Sequence, residues 1–187
     1  MFNTATAPIH ITTPRLLLRP LEITDSTPVF NLLNNPQSTQ YLTISKLTRN
    51  HQALSFILQT KYQRLLRRAY SWAITSHDTT FLGAIDFQPI SAYIGEVGYI
   101  LLPSAQHHGY AKEALTAILQ WAASHPTLAL IHAGTHPDNT PSKALLQKQG
   151  FSYLDTFAPH THWPQLPPPH HRSSVLRYVK HLHRPQV

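Results

Sequence analysis

Gln106-His107-His108-Gly109-Tyr110-Ala111 lies where one periodicity gives way to another. Before it, Tyr93 to Leu102 is rich in strand-forming residues; after it, Ala111, Leu115, Ile118, Leu119 and Ala122 recur at helical spacing. A strand that feeds a helix through a glycine-containing loop leaves several backbone N–H groups unpaired. It places them at the positive end of the helix, an arrangement suited to phosphate oxygens. The small side chains at Gly109 and Ala111 would let a diphosphate approach the backbone. The same residues also fit an ordinary loop whose glycine serves only a turn, and this stretch alone does not choose between the two.

Working outward, Tyr70–Thr75, Phe81–Gln88 and Tyr93–Leu102 read as three strands joined by two tight links, an antiparallel meander. Further upstream, Arg15–Arg19 between Pro14 and Pro20 reads as a first strand. Asp25 is placed to cap a helix bearing Val29, Phe30, Leu32 and Leu33, and a second helix is predicted from about Leu47 to Arg68. Downstream, the helix after Gly109 should stop before Pro126, and Leu128–Ala133 should form a buried strand. Asp138 or Asn139 can cap a helix through Gln149, with Gly150 supplying a left-handed terminus. Phe151–Phe157 and Ser174–Leu182 read as strands around a Pro- and His-rich surface loop, Pro159–Pro169. The order is mixed α/β with seven strands, no internal repeat and no linker, so one domain over 1–187 is expected, with its core at about 13–182.

Composition narrows the chemistry. With no cysteine there is no disulfide, thiolate metal site or thiol nucleophile. Six of the 14 histidines fall from His160 onward, but no fixed carboxylate or thiolate accompanies them, so no metal site is predicted. No apolar run is long enough to span a bilayer, and the opening lacks the pattern of a secretory signal; a cytoplasmic protein without membrane contact is expected. A net charge of +7 favours anionic partners, whether RNA, a ribosome surface or a polyphosphate cofactor. Lys61, Arg64, Arg67 and Arg68 concentrate part of that charge at one helix end, where they could steer such a partner or simply form a solvated face.

Glu96-Val97-Gly98-Tyr99 ahead of the 106–111 stretch, and Asn139-Thr140-Pro141-Ser142, Leu145 and Gly150-Phe151 after it, change the weight of that stretch. Together they resemble the GNAT superfamily of N-acetyltransferases, over about Thr13 to Phe157. The opening Thr13-Pro14-Arg15-Leu16-Leu17-Leu18-Arg19-Pro20-Leu21 looks like the branch that acetylates N-termini of ribosomal proteins and related small amines. The resemblance implies a mixed, mostly antiparallel seven-stranded sheet splayed between its fourth and fifth strands, with helices on both faces. It implies acetyl-CoA as co-substrate, held by Ile100, Leu101, Leu102, Gln106, His107, His108, Gly109, Tyr110, Ala111, Asn139 and Ser142. The acceptor it implies is a primary amine, foremost a protein N-terminal α-amine, with a polyamine or antibiotic amine as the alternative. A nonenzymatic RNA- or ribosome-binding module is the rival from another class, and either a monomer or a homodimer is compatible with the sequence.

Amine acetylation needs a group to take the amine proton and one to protonate the departing thiolate. In one version of the family a tyrosine four residues before the Gly-Phe pair is that donor; here the position is Leu146, which leaves Ser142. Among eight carboxylates, elimination leaves Asp86 and Glu96 on central strands. Glu96 lies on the strand that leads into the cofactor loop, between Gly95 and Gly98, which would permit a bulge or bend. It is the expected base, with Asp86 the weaker candidate and His136 another; orienting substrate without accepting a proton is the alternative role for Glu96.

Overall fold

The computed structural model describes residues 7–162, 164–166 and 172–182. The strands are β1 (Ile11–Thr12), β2 (Leu16–Pro20), β3 (Tyr70–Ser76), β4 (Phe81–Pro89), β5 (Ile94–Leu101), β6 (Leu130–Thr135), β7 (Ser152–His162) and β8 (Arg172–His181). The helices are α1 (Ser26–Asn34), α2 (Pro36–Thr39), α3 (Asn50–Leu65), α4 (Tyr110–Ala123) and α5 (Thr140–Lys148). The sheet order is β1-β2-β3-β4-β5-β6-β8-β7. Neighbours are antiparallel except β5 and β6, which run parallel.

The sheet thus has eight strands among the described residues where seven were expected. The addition is Ile11–Thr12, paired with Leu17 and Leu18. Two residues cannot display a period of 2, so no alternation could have revealed it. At the other end, β7 runs on to His162 and β8 starts at Arg172, so part of the expected surface loop is strand. Within that loop 163 and 167–169 lie outside the described residues, as do 170–171 and the tail beyond Leu182.

The alternation along β2 and the meander sorts side chains to two faces. On one face Leu16, Leu18, Trp72, Ile74, Ile85, Phe87 and Val97 meet Leu115, Ile118 and Ala122 of α4 and Leu146 of α5. Trp121 sets its ring edge-on to Phe87, with centroids 5.0 Å apart. On the other face Ala73 packs with Val29, Leu32 and Leu33 of α1 and Ala53 and Ile57 of α3. Truncating a fully buried member such as Leu16 or Ile57 to alanine should cost about 2–5 kcal/mol.

Three local expectations are corrected. Asp25 does not cap α1 with its side chain; its carboxylate accepts from Arg19 Nη1 and Nη2, each at 2.7 Å, and from the Glu22 N–H. Burial works against its ionisation, but these hydrogen bonds outweigh that cost and hold the carboxyl below its usual range. Helix α3 begins at Asn50, because Gln52 Oε1 accepts from the N–H groups of Thr48 and Arg49 and starts the helix there. It ends before Arg67, whose φ of 56° is left-handed. Arg64 turns inward, 4.8 Å over the Trp72 ring and donating to the Ser71 carbonyl, so Lys61, Arg67 and Arg68 are the exposed part of the basic patch.

The feature that positions the site is a gap. Strands β5 and β6 pair only through Ile94–Glu96 and Leu130–His132. Beyond Glu96 each strand keeps its other neighbour, β4 or β8, while the two part company. No bulge in β5 causes this, contrary to the reading of its glycines: the β4–β5 register runs unbroken from Gly83↔Leu101 to Pro89↔Gly95. A side chain at Gly95 would run into the Phe87 ring, and one at Gly98 would come within 3.0 Å of Asp86 Oδ1. These glycines make room for their neighbours across β4 instead.

Candidate active site

The cofactor loop starts where β5 ends. The Leu102 N–H still donates to Leu82 on β4, a 3-10 turn spans Pro103–Ala105, and α4 begins at Tyr110. Two left-handed residues shape the intervening bend, His107 at φ 64° and Gly109 at φ 80°. From His107 to Lys112, none of the six backbone N–H groups has an acceptor among the described residues. They cluster at the positive end of a 14-residue helix. The donor set therefore fits a diphosphate, and the residues of the expected stretch are brought together here. Gln106 turns its amide back toward the Leu101 carbonyl at 3.4 Å, and His107 and His108 are exposed. An added Cβ at Gly109 would meet Arg15 Nη2 at 3.4 Å, an ordinary contact. The positive φ by itself calls for glycine here.

Ile100, Leu101 and the end of β5 border the gap; the Leu101 carbonyl there already accepts from Ser38 Oγ at 3.1 Å, while other groups of an unpaired strand edge remain available to a ligand. Across the gap, Asn139 caps α5: its Oδ1 accepts from the Ser142 N–H at 3.2 Å. The cap orients Ser142 one turn into the helix, where its Oγ lies 3.0 Å from the Tyr99 hydroxyl of β5. Burial pushes the Tyr99 phenol up to about 12, against the smaller opposing effect of that hydrogen bond, so it is protonated at neutral pH. Tyr99 is the candidate site residue that residue-by-residue reasoning missed. Its signal was the period of 2 that turns Val97, Tyr99 and Leu101 to the α4 face. Leu146, at the position where a tyrosine was considered, is 1% exposed and belongs to the core.

The carboxylates occupy the opposite face. In register, Asp86 faces Gly98 and Gln88 faces Glu96, so the two acids are diagonal neighbours on one face of β4 and β5. Glu96 is also the last residue of β5 paired to β6, opposite His132, so it stands at the mouth of the gap. Gly134 keeps the space beside it open; an added Cβ there would lie 4.0 Å from Glu96 Oε1. Asp86 has no hydrogen-bond donor among the described residues. Water reaches it, yet the surrounding protein desolvates it, and with repulsion from Glu96 this pushes its carboxyl up to about 7. His132 is pulled below its usual value by burial and by Arg177, partly offset by Glu96 and Asp155. His136 is not brought to this site as an accessible base: it is 1% exposed, stacked on Tyr41 at 5.2 Å, and its Nδ1 accepts from the Asp138 N–H.

A phosphate cradle, a parted pair of strands, a hydroxyl pair on one face and carboxylates on the other form one continuous arrangement. Comparison with known proteins identifies the family and the fold that carry it. Residues 15–152 match the family described as Acetyltransferase (GNAT) domain. The Bacillus subtilis (strain 168) protein YoaA, an uncharacterized N-acetyltransferase, is 30% identical over 144 residues, covering 74% of this chain and 80% of that protein. Among solved structures, a Salmonella typhimurium acetyl transferase that modifies the N-terminal serine of the 50S ribosomal subunit protein L7/L12 superposes with a TM-score of 0.79 at 17% identity, covering 94% of this chain and 98% of that one. The Vibrio cholerae spermidine N-acetyltransferase, in complex with CoA and spermine, gives 0.77 at 16% identity over 91% and 97%. At such identities the two structures speak for the fold, and the match across 15–152 speaks for the family: this chain belongs to the GNAT acetyltransferases and moves the acetyl group of acetyl-CoA onto an amine.

Proposed function

We propose that the acceptor is the N-terminal α-amine of a protein or peptide, acetylated by direct attack in a ternary complex. The observation that carries the direct-attack chemistry is the placement of Asp86 and Glu96 at the mouth of the gap, on the face of the sheet that also packs α1 and α3, with Tyr99 and Ser142 meeting on the other face. Bound acetyl-CoA supplies a thioester whose carbonyl carbon accepts the amine nitrogen. The chain's residues then divide the proton work: Glu96, through water, takes the proton the amine loses as the C–N bond forms, Ser142 gives one to sulfur as the C–S bond breaks, and exchange with solvent returns a proton to Ser142 and removes the one on Glu96. The Tyr99 hydroxyl, donating to Ser142 Oγ, frees the serine proton for that transfer. The N–H groups of His107 to Lys112 hold the diphosphate, and the Asn139 amide nitrogen is free of the cap and can meet the pantetheine arm.

Support for an α-amine acceptor comes from the Salmonella neighbour and from the opening motif at Thr13–Leu21. The second reading, a polyamine acceptor, is favoured by one observation: two carboxylates on one face could each meet an ammonium group. Family membership removes the alternative of a nonenzymatic RNA-binding module. No helix among the described residues is long and apolar enough to cross a membrane, and a cytoplasmic enzyme accords with that. The deciding experiment follows CoA release with a thiol reagent across Ser-, Ala- and Met-initiated peptides, spermidine and aminoglycosides. Peptides should lead in kcat/KM by at least about tenfold; spermidine ahead of all peptides would replace this reading with the second.

A further inference from the structure

Glu113 sits in the first turn of α4, where an uncompensated carboxylate would repel a diphosphate at the adjoining loop. The segment before β2 is folded onto it. Thr13 Oγ1 donates to Glu113 Oε1 at 2.6 Å, the Arg15 backbone N–H donates to the same oxygen at 2.9 Å, and Arg15 Nε and Nη2 both reach Oε2 at 2.7 Å. The guanidinium also lies 4.8 Å over the Tyr110 ring, and its Nη1 donates to the His108 carbonyl at 3.0 Å. His77 Nε2 lies 3.1 and 3.2 Å from the Thr13 and Pro14 carbonyls and tethers this segment from the other side.

The bond to His108 has a consequence through the peptide plane. In a trans peptide the carbonyl of residue 108 and the N–H of residue 109 point in opposite directions. Pinning the His108 carbonyl toward Arg15 turns the Gly109 N–H outward, and that N–H has no acceptor among the described residues. We propose that Arg15 is a positioning residue for acetyl-CoA: it neutralises Glu113 beside the diphosphate and locks the 108–109 peptide in the orientation that presents its N–H to the phosphate oxygens. This inference rests on the reading of His107–Lys112 as the diphosphate cradle.

A merely structural role is the competing account, and magnitudes separate the two. The Arg15 side chain is 49% exposed, and an ion pair so placed adds little to folding, so its removal should leave the fold intact. One charge-assisted hydrogen bond lost from a binding cradle corresponds to roughly a tenfold to hundredfold loss of affinity. The experiment titrates CoA and pantetheine, which lacks the diphosphate, into the wild type, Arg15→Ala and the double variant Arg15→Ala/Glu113→Gln, with thermal melts of each. Arg15→Ala should weaken CoA by about 10- to 100-fold and leave pantetheine within about threefold. The double variant should recover at least about threefold for CoA, because it removes the exposed carboxylate charge. The inference is overturned if Arg15→Ala binds CoA as the wild type does, or if CoA and pantetheine weaken equally. If the wild type itself binds CoA no more tightly than pantetheine, the cradle reading fails and the inference with it.

Discussion

Tyr99 and Ser142 place their hydroxyl oxygens 3.0 Å apart from opposite sides of the gap, one on β5 and one on the helix that follows β6. The contact therefore spans the opening that the proposed mechanism assigns to the thioester. Ser142→Ala removes the donor next to the leaving sulfur, and kcat should fall by roughly 10²-fold with the KM for acetyl-CoA within threefold. Tyr99→Phe leaves the serine in place but removes the hydroxyl that polarises it, so a smaller loss, about 3- to 10-fold, is expected. Steady-state kinetics at saturating amine tests both. Equal losses in kcat and in acetyl-CoA affinity would instead make the pair a binding element.

Asp86 supplies a stability test with a definite sign. Its folded value of about 7 exceeds its ordinary 3.8, so between these the folded protein holds a proton that the unfolded chain has released. Stability therefore falls as pH rises through that window and stays lower above it. The charged group facing Asp86 is Glu96 on β5, and from β3 its partner in register is the neutral Ser71. Asp86→Asn should accordingly melt higher than the wild type at pH 8, with the difference shrinking toward pH 4. A constant difference across that range would mean that Asp86 titrates normally.

Gly109 tests the loop by conformation instead of by volume. At φ 80° a β-branched residue is strongly disfavoured, whereas asparagine tolerates the left-handed region. Gly109→Val should abolish measurable CoA binding, and Gly109→Asn should retain it within about tenfold. Calorimetric titration distinguishes this from a purely steric requirement, under which both variants would lose the cofactor alike.

The elements legible in the sequence were those with period or punctuation. The meander, α4 between Gly109 and Pro126, and Gly150 at the end of α5 with φ 78° all follow from local chemistry. For the same reason the sequence could nominate a candidate site: the 106–111 loop, the Asn139 cap and the two central carboxylates stand at motif positions, and the fold puts them around the gap. What escaped was set by partners distant in sequence. Asp25 looked like a cap because its competition with Arg19 could not be seen, and Arg64 looked like surface because its stack on Trp72 is tertiary. Gly95 and Gly98 looked like a bend in β5, whereas their reason is the Phe87 ring and the Asp86 carboxylate across β4. Tyr99 gained a role only when α5 brought Ser142 to it.

Glu96 is the base in the proposed mechanism. It is the residue after which β5 and β6 separate, so its side chain stands at the edge of the opening while its backbone is still fixed on both sides, to Gln88 and to His132. That combination suits a base: the carboxylate is held by the sheet yet faces a space kept clear by Gly134. His136 is enclosed under Tyr41, which leaves Asp86 as the competing carboxylate. Glu96→Gln keeps the shape and removes the basicity, so kcat/KM for the amine should fall by roughly 10²–10⁴ with CoA affinity unchanged. The same substitution removes the repulsion that helps raise Asp86, so the Asp86 carboxyl should titrate lower in the variant. A pH–rate profile in which the loss stays below threefold through the titration of the amine itself would assign the proton to Asp86 or to bulk water. A loss of the expected size, accompanied by a rate that climbs with hydroxide, would leave Glu96 as the group that takes it.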